Sequence, residues 1–167
     1  MRRARSGGFT LIELMVTIVI LAIMVAIAFP SFEATMRSNR LATTTNEMIA
    51  ALSLARSEAI RNTRGSFVCA SEDGETCSGD EDWSQGWLVA RNGAAAGAIE
   101  VIRIWDARTG MQVEGPTARL EFDGRGRAVA PADLGIRPLE CGEQLLSRTI
   151  VVNQTGRIAK EALTSCE

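Results

Sequence analysis

Glu13 is the single charged residue in the run from Phe9 to Phe29, FTLIELMVTIVILAIMVAIAF. A carboxylate inside a membrane-spanning stretch costs about 2.5–3.5 kcal/mol on insertion scales, so a partner or a function is expected of it. Cleavage after Gly8 would create that partner, because the new α-amine on Phe9 stands four residues from Glu13, the spacing at which helix neighbours meet. The alternative is an acid near the membrane end that snorkels to water. Arginines on glycine-rich turns are a second reactive set: Gly124-Arg125-Gly126-Arg127, and Gly156-Arg157 with Lys160. Guanidiniums presented in this way suit phosphate, although salt bridges to Glu121, Asp123 or Glu161 would also account for them. The chain has no histidine. It therefore lacks the ordinary acid/base group near neutral pH, Ser-His and Cys-His nucleophiles and His-containing metal sites. No motif brings Ser, Asp and the single Lys160 together, so the sequence implies no enzyme, no cofactor and no metal.

Four cysteines, Cys69, Cys77, Cys141 and Cys166, have neither zinc nor redox spacing. In an oxidising compartment they allow three connectivities. Pairing Cys69 with Cys77 and Cys141 with Cys166 is favoured because each bond closes a local loop, worth ~2.6 and ~3.5 kcal/mol in the loop-entropy model. The second bond would tether an end that otherwise frays. Between Cys69 and Trp83 lie Glu72, Asp73, Glu75, Asp80, Glu81 and Asp82 with no basic residue. Their spacing is not that of an EF-hand, and they read as a solvated acidic loop. Trp83, Trp87 and Trp105 offer stacking platforms for bases but read as core.

The elements that must position these groups begin with the apolar run, whose 21 residues span roughly 31 Å as a helix, the thickness of a bilayer core. The preceding MRRARSGG is basic and stays cytoplasmic by the positive-inside rule, which places the remainder on the far side. Gly7 and Gly8 precede the apolar run, whereas an ordinary secretory signal has its small-residue cut site after it. A cut there leaves the anchor on the mature protein. Pro30 removes one helix hydrogen bond, and either bends the helix or ends it. Beyond it Leu41, Thr45, Met48, Leu52, Ala55 and Ala59 recur with helical spacing, with Glu47, Ser57, Glu58 and Arg61 falling elsewhere. That amphipathic helix should stop between Asn62 and Gly65, giving a rod of about 80 Å from Phe9. Short β-prone runs follow at 66–70, 87–91, 99–105, 119–122 and 149–152, too closely spaced for βαβ crossovers. The expected fold is α+β, a long helix carrying a small, mainly antiparallel sheet domain. Its boundaries are 1–8 (leader), 9–30 (transmembrane half), 31–62 (amphipathic half) and 63–167 (globular part). Formal net charge is −2, and −5 once the first eight residues with their three arginines are removed, which argues against bulk nucleic-acid affinity.

Gly8-Phe9-Thr10-Leu11-Ile12-Glu13 followed by an apolar helix resembles the processing site of type IV prepilins and type II secretion pseudopilins. The resemblance implies that a prepilin peptidase cuts after Gly8 and methylates Phe9. It also implies that Glu13 meets the N-terminal amine of a neighbouring subunit in a filament, and that Pro30 is the helix-kinking proline of the class. Leu54-Ala55-Arg56-Ser57-Glu58-Ala59-Ile60, Val68-Cys69, Cys77, Trp83 and Gly86-Trp87-Leu88-Val89 are similar to the GspH/FimT family of minor pilins and pseudopilins. Phe122-Asp123-Gly124-Arg125-Gly126-Arg127 and Gly156-Arg157 match more loosely. The family's fold is a long helix with a domain of two small sheets. Its partners would be other minor pilins and the major pilin, or pseudopilins. Its location would be the inner membrane, single-pass with a periplasmic domain, and the cell exterior once assembled in a pilus. A branch of the family binds DNA through a Gly-Arg-x-Arg motif. Here those positions read Gly156-Arg157-Ile158-Ala159, with Lys160 one place later. The function expected first is a minor pilin that joins or primes a type IV pilus. A DNA-binding minor pilin and a secretion pseudopilin are the alternatives.

Overall fold

The computed structural model describes residues 9–93, 98–141 and 146–166. They separate into two compact units that divide between Met36 and Arg37. Helix α1 (Leu11–Asn62) supplies the first unit and the opening of the second. Thr10 begins it as an N-cap: its Oγ1 accepts the Glu13 amide at 3.2 Å, satisfying one of the donors that a helix start leaves unpaired. The helix runs through position 30, so Pro30 does not end it.

In the first unit the apolar side chains are exposed, among them Leu11, Ile18, Leu21 and Ile27. None of the most apolar stretch is buried, and it is long and apolar enough to cross a membrane.

In the second unit, Leu41, Met48, Ala51, Leu52, Ala55 and Ala59 form the buried face of α1. Thr45 lies on the same face because its hydroxyl donates to the Leu41 carbonyl at 2.7 Å, so no polar atom is stranded. The buried face is wider than the spacing suggested. Glu58, assigned to the polar side from sequence, is buried, and the Arg61 guanidinium donates to its two oxygens at 2.8 and 2.6 Å. Pairing makes the burial tolerable. The helix stops where Thr63 and Gly65 turn to positive φ, 56° and 89°, with the Asn62 Oδ1 accepting the Arg64 amide at 2.8 Å. A Cβ on Gly65 would come within 2.8 Å of the Phe122 carbonyl oxygen, so both conformation and space require glycine there.

Among the described residues eight strands follow: β1 (Ser66–Ala70), β2 (Gly86–Asn92), β3 (Ile99–Asp106), β4 (Met111–Glu114), β5 (Leu120–Phe122), β6 (Ala132–Pro138), β7 (Arg148–Val152) and β8 (Ile158–Lys160). They form two four-stranded sheets, ordered β3-β2-β1-β5 and β4-β6-β7-β8, with every pair antiparallel. Val68, Val89, Leu120 and Phe122 of the first sheet and Val113, Leu134, Ile136, Ile150 and Val152 of the second close one core around the apolar face of α1. Trp83 and Trp87 are fully buried in it. The Trp87 and Trp105 rings stack 6.4 Å apart. Glu47 of α1 pairs with Arg108 at 3.0 Å, and that guanidinium lies 5.5 Å over Trp87, tying the helix to the turn after β3.

The first sheet is covered on its second face too. Phe67, Cys69, Leu88 and Ala90 form a separate buried cluster, with Ile99 and Val101 against it. Arg119 caps it, its guanidinium 4.3 Å over the Phe67 ring. The loop after β1 adds cover: a Cβ on Gly74 would touch the Ile104 side chain at 3.1 Å.

Candidate functional site

At the N-terminus, Gly8 and the rest of the leader lie outside the described residues. Phe9 is exposed, and Glu13 sits in the first turn of α1. Acids are favoured there by the helix dipole, and Thr10-x-x-Glu13 is the spacing of a capping box, a helix-start signal that the sequence reading passed over.

Two disulfides, Cys69–Cys77 and Cys141–Cys166, account for all four cysteines. Cys69 is in β1 and Cys77 is in the acidic loop, so the bond holds that loop against the outer cluster of the first sheet. Within the loop Asp73 acts as the organiser. Its Oδ1 accepts the amides of Glu75 and Thr76 and its Oδ2 accepts the Thr76 hydroxyl. The Thr76 hydroxyl, then the Thr76 and Glu75 amides, hold the Asp73 carboxyl far below the usual carboxylate range. Among the described residues no group of three His, Cys, Asp or Glu is placed to hold a metal ion.

Residues Asp123–Arg127 and Asn153–Arg157 form the same turn twice. In each, the glycine amide donates to the first residue's carbonyl at 2.8 Å, and the first residue's amide donates to the arginine carbonyl at 2.9 and 3.1 Å. In each, the first side-chain Oδ1 accepts the arginine amide at 2.9 and 3.0 Å. The glycine takes φ 74° in one and 77° in the other. Asp and Asn serve equally because the turn needs an acceptor two to four residues upstream of the amides, whatever its charge. In the first turn the acceptor is a carboxylate. The Arg127 amide foremost, then the Arg125 amide and the two guanidinium charges, hold Asp123 below the ordinary carboxylate range against the cost of desolvation.

The two turns touch. A Cβ on Gly156 would overlap the Gly126 carbonyl oxygen, and the Arg56 Nε of α1 donates to that same oxygen at 3.0 Å. Arg125, Arg127 and Arg157, all exposed, are thereby carried on one joined tip beside the last turns of α1. Lys160 is not part of it. It lies at the exposed end of β8 and lines a groove with Ser38, Asn46 and Arg148, ten residues back along α1 from Arg56, or ~15 Å of helix. Sequence reasoning missed Arg56 as the clamp. Its legible signal was the repeated spacing Asp/Asn-x-x-Gly-Arg at 123–127 and 153–157.

A helix with a membrane-length apolar opening and a lone acid in its first turn, followed by a helix-backed pair of small antiparallel sheets, defines the type IV pilin-like subunit. The chain belongs to the GspH family: the family model described as type II transport protein GspH matches residues 44–156, and that of the prokaryotic N-terminal methylation motif matches residues 3–29. Among solved structures, the type IV minor pilin FimU of Pseudomonas aeruginosa is similar at a TM-score of 0.59 and 22% identity, over 74% of this chain and 90% of that one. The minor pseudopilin EpsH from the type 2 secretion system of Vibrio cholerae is similar at a TM-score of 0.56 and 15% identity, over 74% and 97%. No curated protein sequence matches the chain.

Proposed function

We propose that this chain is a minor pilin, cut after Gly8 by a prepilin peptidase, methylated on Phe9, and inserted through α1 into a type IV pilus whose assembly it joins or primes. The observation that carries the reading is the uncovered apolar opening of α1 with its single acid, Glu13. Such a surface is stable only in lipid or against other helices, and a filament core supplies both the apolar neighbours and an amine for the acid. Before assembly the inner membrane holds the helix, with the sheet domain on the periplasmic side. Its neighbours are other minor pilins and the major pilin; a secretion filament would ask the same of the chain. Intact-mass measurement of membrane-extracted protein tests the processing: the expected species starts at Phe9 and carries one added methyl group. Gly8→Leu should leave the leader attached, and its normal removal would sink the assignment of the cut. Glu13→Ala should leave processing intact and lower the amount recovered in sheared filaments.

A second reading, DNA capture, is favoured by the joined tip, which places Arg125, Arg127 and Arg157 together although the second arginine of Gly-Arg-x-Arg is missing. Titration of the detergent-solubilised chain with DNA at several salt concentrations decides it. Retention that falls with salt, at a log-log slope of roughly −0.9 per phosphate neutralised, and is lost in the triple alanine variant would favour this reading. No retention at low salt would leave the arginines structural.

A further inference from the structure

We propose that the groove between α1 and the β7–β8 end of the second sheet is a binding site for the phosphate of an anionic phospholipid headgroup, occupied while the chain waits in the membrane. Ser38, Thr45 and Asn46 of α1 form one wall, and Arg148, Lys160 and Leu163 the other. The site has a surplus of positive charge. Arg148 donates through one guanidinium nitrogen to the Glu161 backbone carbonyl at 2.7 Å, which neutralises nothing, and among the described residues the Lys160 side chain has no ion pair or hydrogen bond. Two such cations on one small groove repel each other, an arrangement that an anion between them relieves. The wall opposite adds neutral polar groups, the Ser38 hydroxyl and the Asn46 amide, that can complete a phosphate's hydrogen bonds. Leu163, exposed at 38%, is an apolar edge of the kind that acyl chains or glycerol carbons cover. Headgroup phosphate is preferred to a soluble anion because of where the groove is tethered. Ser38 follows the apolar run's last residue, Phe29, by only nine residues in the sequence, whereas the arginine tip lies by Arg56 and Ile60, a further 18 residues or more along the chain. A basic side chain near an anionic bilayer surface is held there by an amount that corresponds to about fivefold in occupancy.

The inference rests on the membrane-anchor reading, and one experiment separates the two. Lys160 is the chain's only lysine, so a water-soluble amine-reactive acylating reagent labels one side chain, resolved from the α-amine by peptide mapping. The full chain is placed in lipid nanodiscs of phosphatidylcholine alone or mixed with phosphatidylglycerol. Failure to enter either disc would sink the anchor. If it enters, Lys160 acylation should be at least about fivefold slower in the phosphatidylglycerol discs. Arg148→Gln, which leaves the surface potential of the discs unchanged, should remove most of that protection. Equal labelling in the two discs, or protection undiminished by Arg148→Gln, would overturn the site. So would equal protection in phosphatidylcholine discs by millimolar glycerol phosphate or by an oligonucleotide, which would show a soluble-phosphate or nucleic-acid site in place of a lipid one.

Discussion

Three glycines, all at positive φ, give a graded test of whether the two arginine turns are physically joined. Gly79 (φ 81°) has open space around its missing Cβ, Gly126 (74°) faces the Ile60 side chain, and Gly156 (77°) faces the Gly126 backbone carbonyl. Alanine at Gly79 should therefore cost only the left-handed backbone penalty, about 1–2 kcal/mol. At Gly126 the new methyl would stand 2.7 Å from Ile60 Cδ1 and 2.9 Å from Ile60 Cγ1, atoms of a half-exposed side chain that must change rotamer, so the added cost should lie between that at Gly79 and that at Gly156. At Gly156 the obstacle is a carbonyl held by its own turn and by Arg56, and parting the turns should add roughly 1–3 kcal/mol. With about 4 °C per kcal/mol for a unit of this size, Gly79→Ala should lower Tm by ~4–8 °C and Gly156→Ala by ~8–20 °C. Buried Trp83 and Trp87 make fluorescence-detected urea and thermal unfolding of the detergent-solubilised chain the assay. A Gly156→Ala variant as stable as Gly79→Ala would refute the contact between the turns, and with it the single arginine tip.

Arg56→Met keeps much of the side chain's bulk and removes the donor to the Gly126 carbonyl; it should cost about 1–2 kcal/mol in urea unfolding and loosen the 123–127 turn in amide exchange. Acid sensitivity follows from Asp73 and Asp123, whose folded pKa values lie below the ordinary 3.8. Their contribution to stability is complete above that value and is lost as pH falls through the folded pKa. The urea midpoint should drop between about pH 5 and pH 2, and Asp123→Asn should flatten part of the drop while keeping the turn, as Asn153 does in its twin. A pH dependence of the midpoint over that window that neither Asp73→Asn nor Asp123→Asn changes would contradict it. Replacing Cys141 and Cys166 by serine should cost up to ~3.5 kcal/mol and speed exchange at the Thr164 amide, which donates to Ser147 at 3.0 Å.

The sequence announced the helix end and the strands rich in β-branched or aromatic residues because their own chemistry sets them: β1 reads SFVCA and lies at its expected bounds. It did not announce β6, ADLGIRP, with an acid, a glycine and a terminal proline, or the three-residue β8. Those are strands because β7 pairs with both sides, a partner relation no local window contains. Glu58 illustrates the same limit in a helix. A glutamate at a boundary position reads as solvated, and only its two bonds from Arg61, one turn away, let the neighbouring elements close over it. For Arg125, Arg127, Arg157 and Lys160, residue type suggested phosphate chemistry at all four positions, but their grouping depended on which turns touch. Alternation along a short last strand sent Lys160 toward α1 and away from Arg157.

The two disulfides each close a stretch near itself in the chain, with sequence separations of 8 and 25, and neither links one sheet to the other. For a subunit loaded along its length, such bonds act as stops on extension. The 33 residue steps they enclose would otherwise pay out about 110 Å of slack at full stretch. With the bonds formed, the two sheets can be pulled apart only through the noncovalent core around α1, while the acidic loop and the C-terminal end keep their length. Oxidation thus sets how far the domain can yield under tension, and reduction would convert a short, stiff domain into a longer, more compliant one.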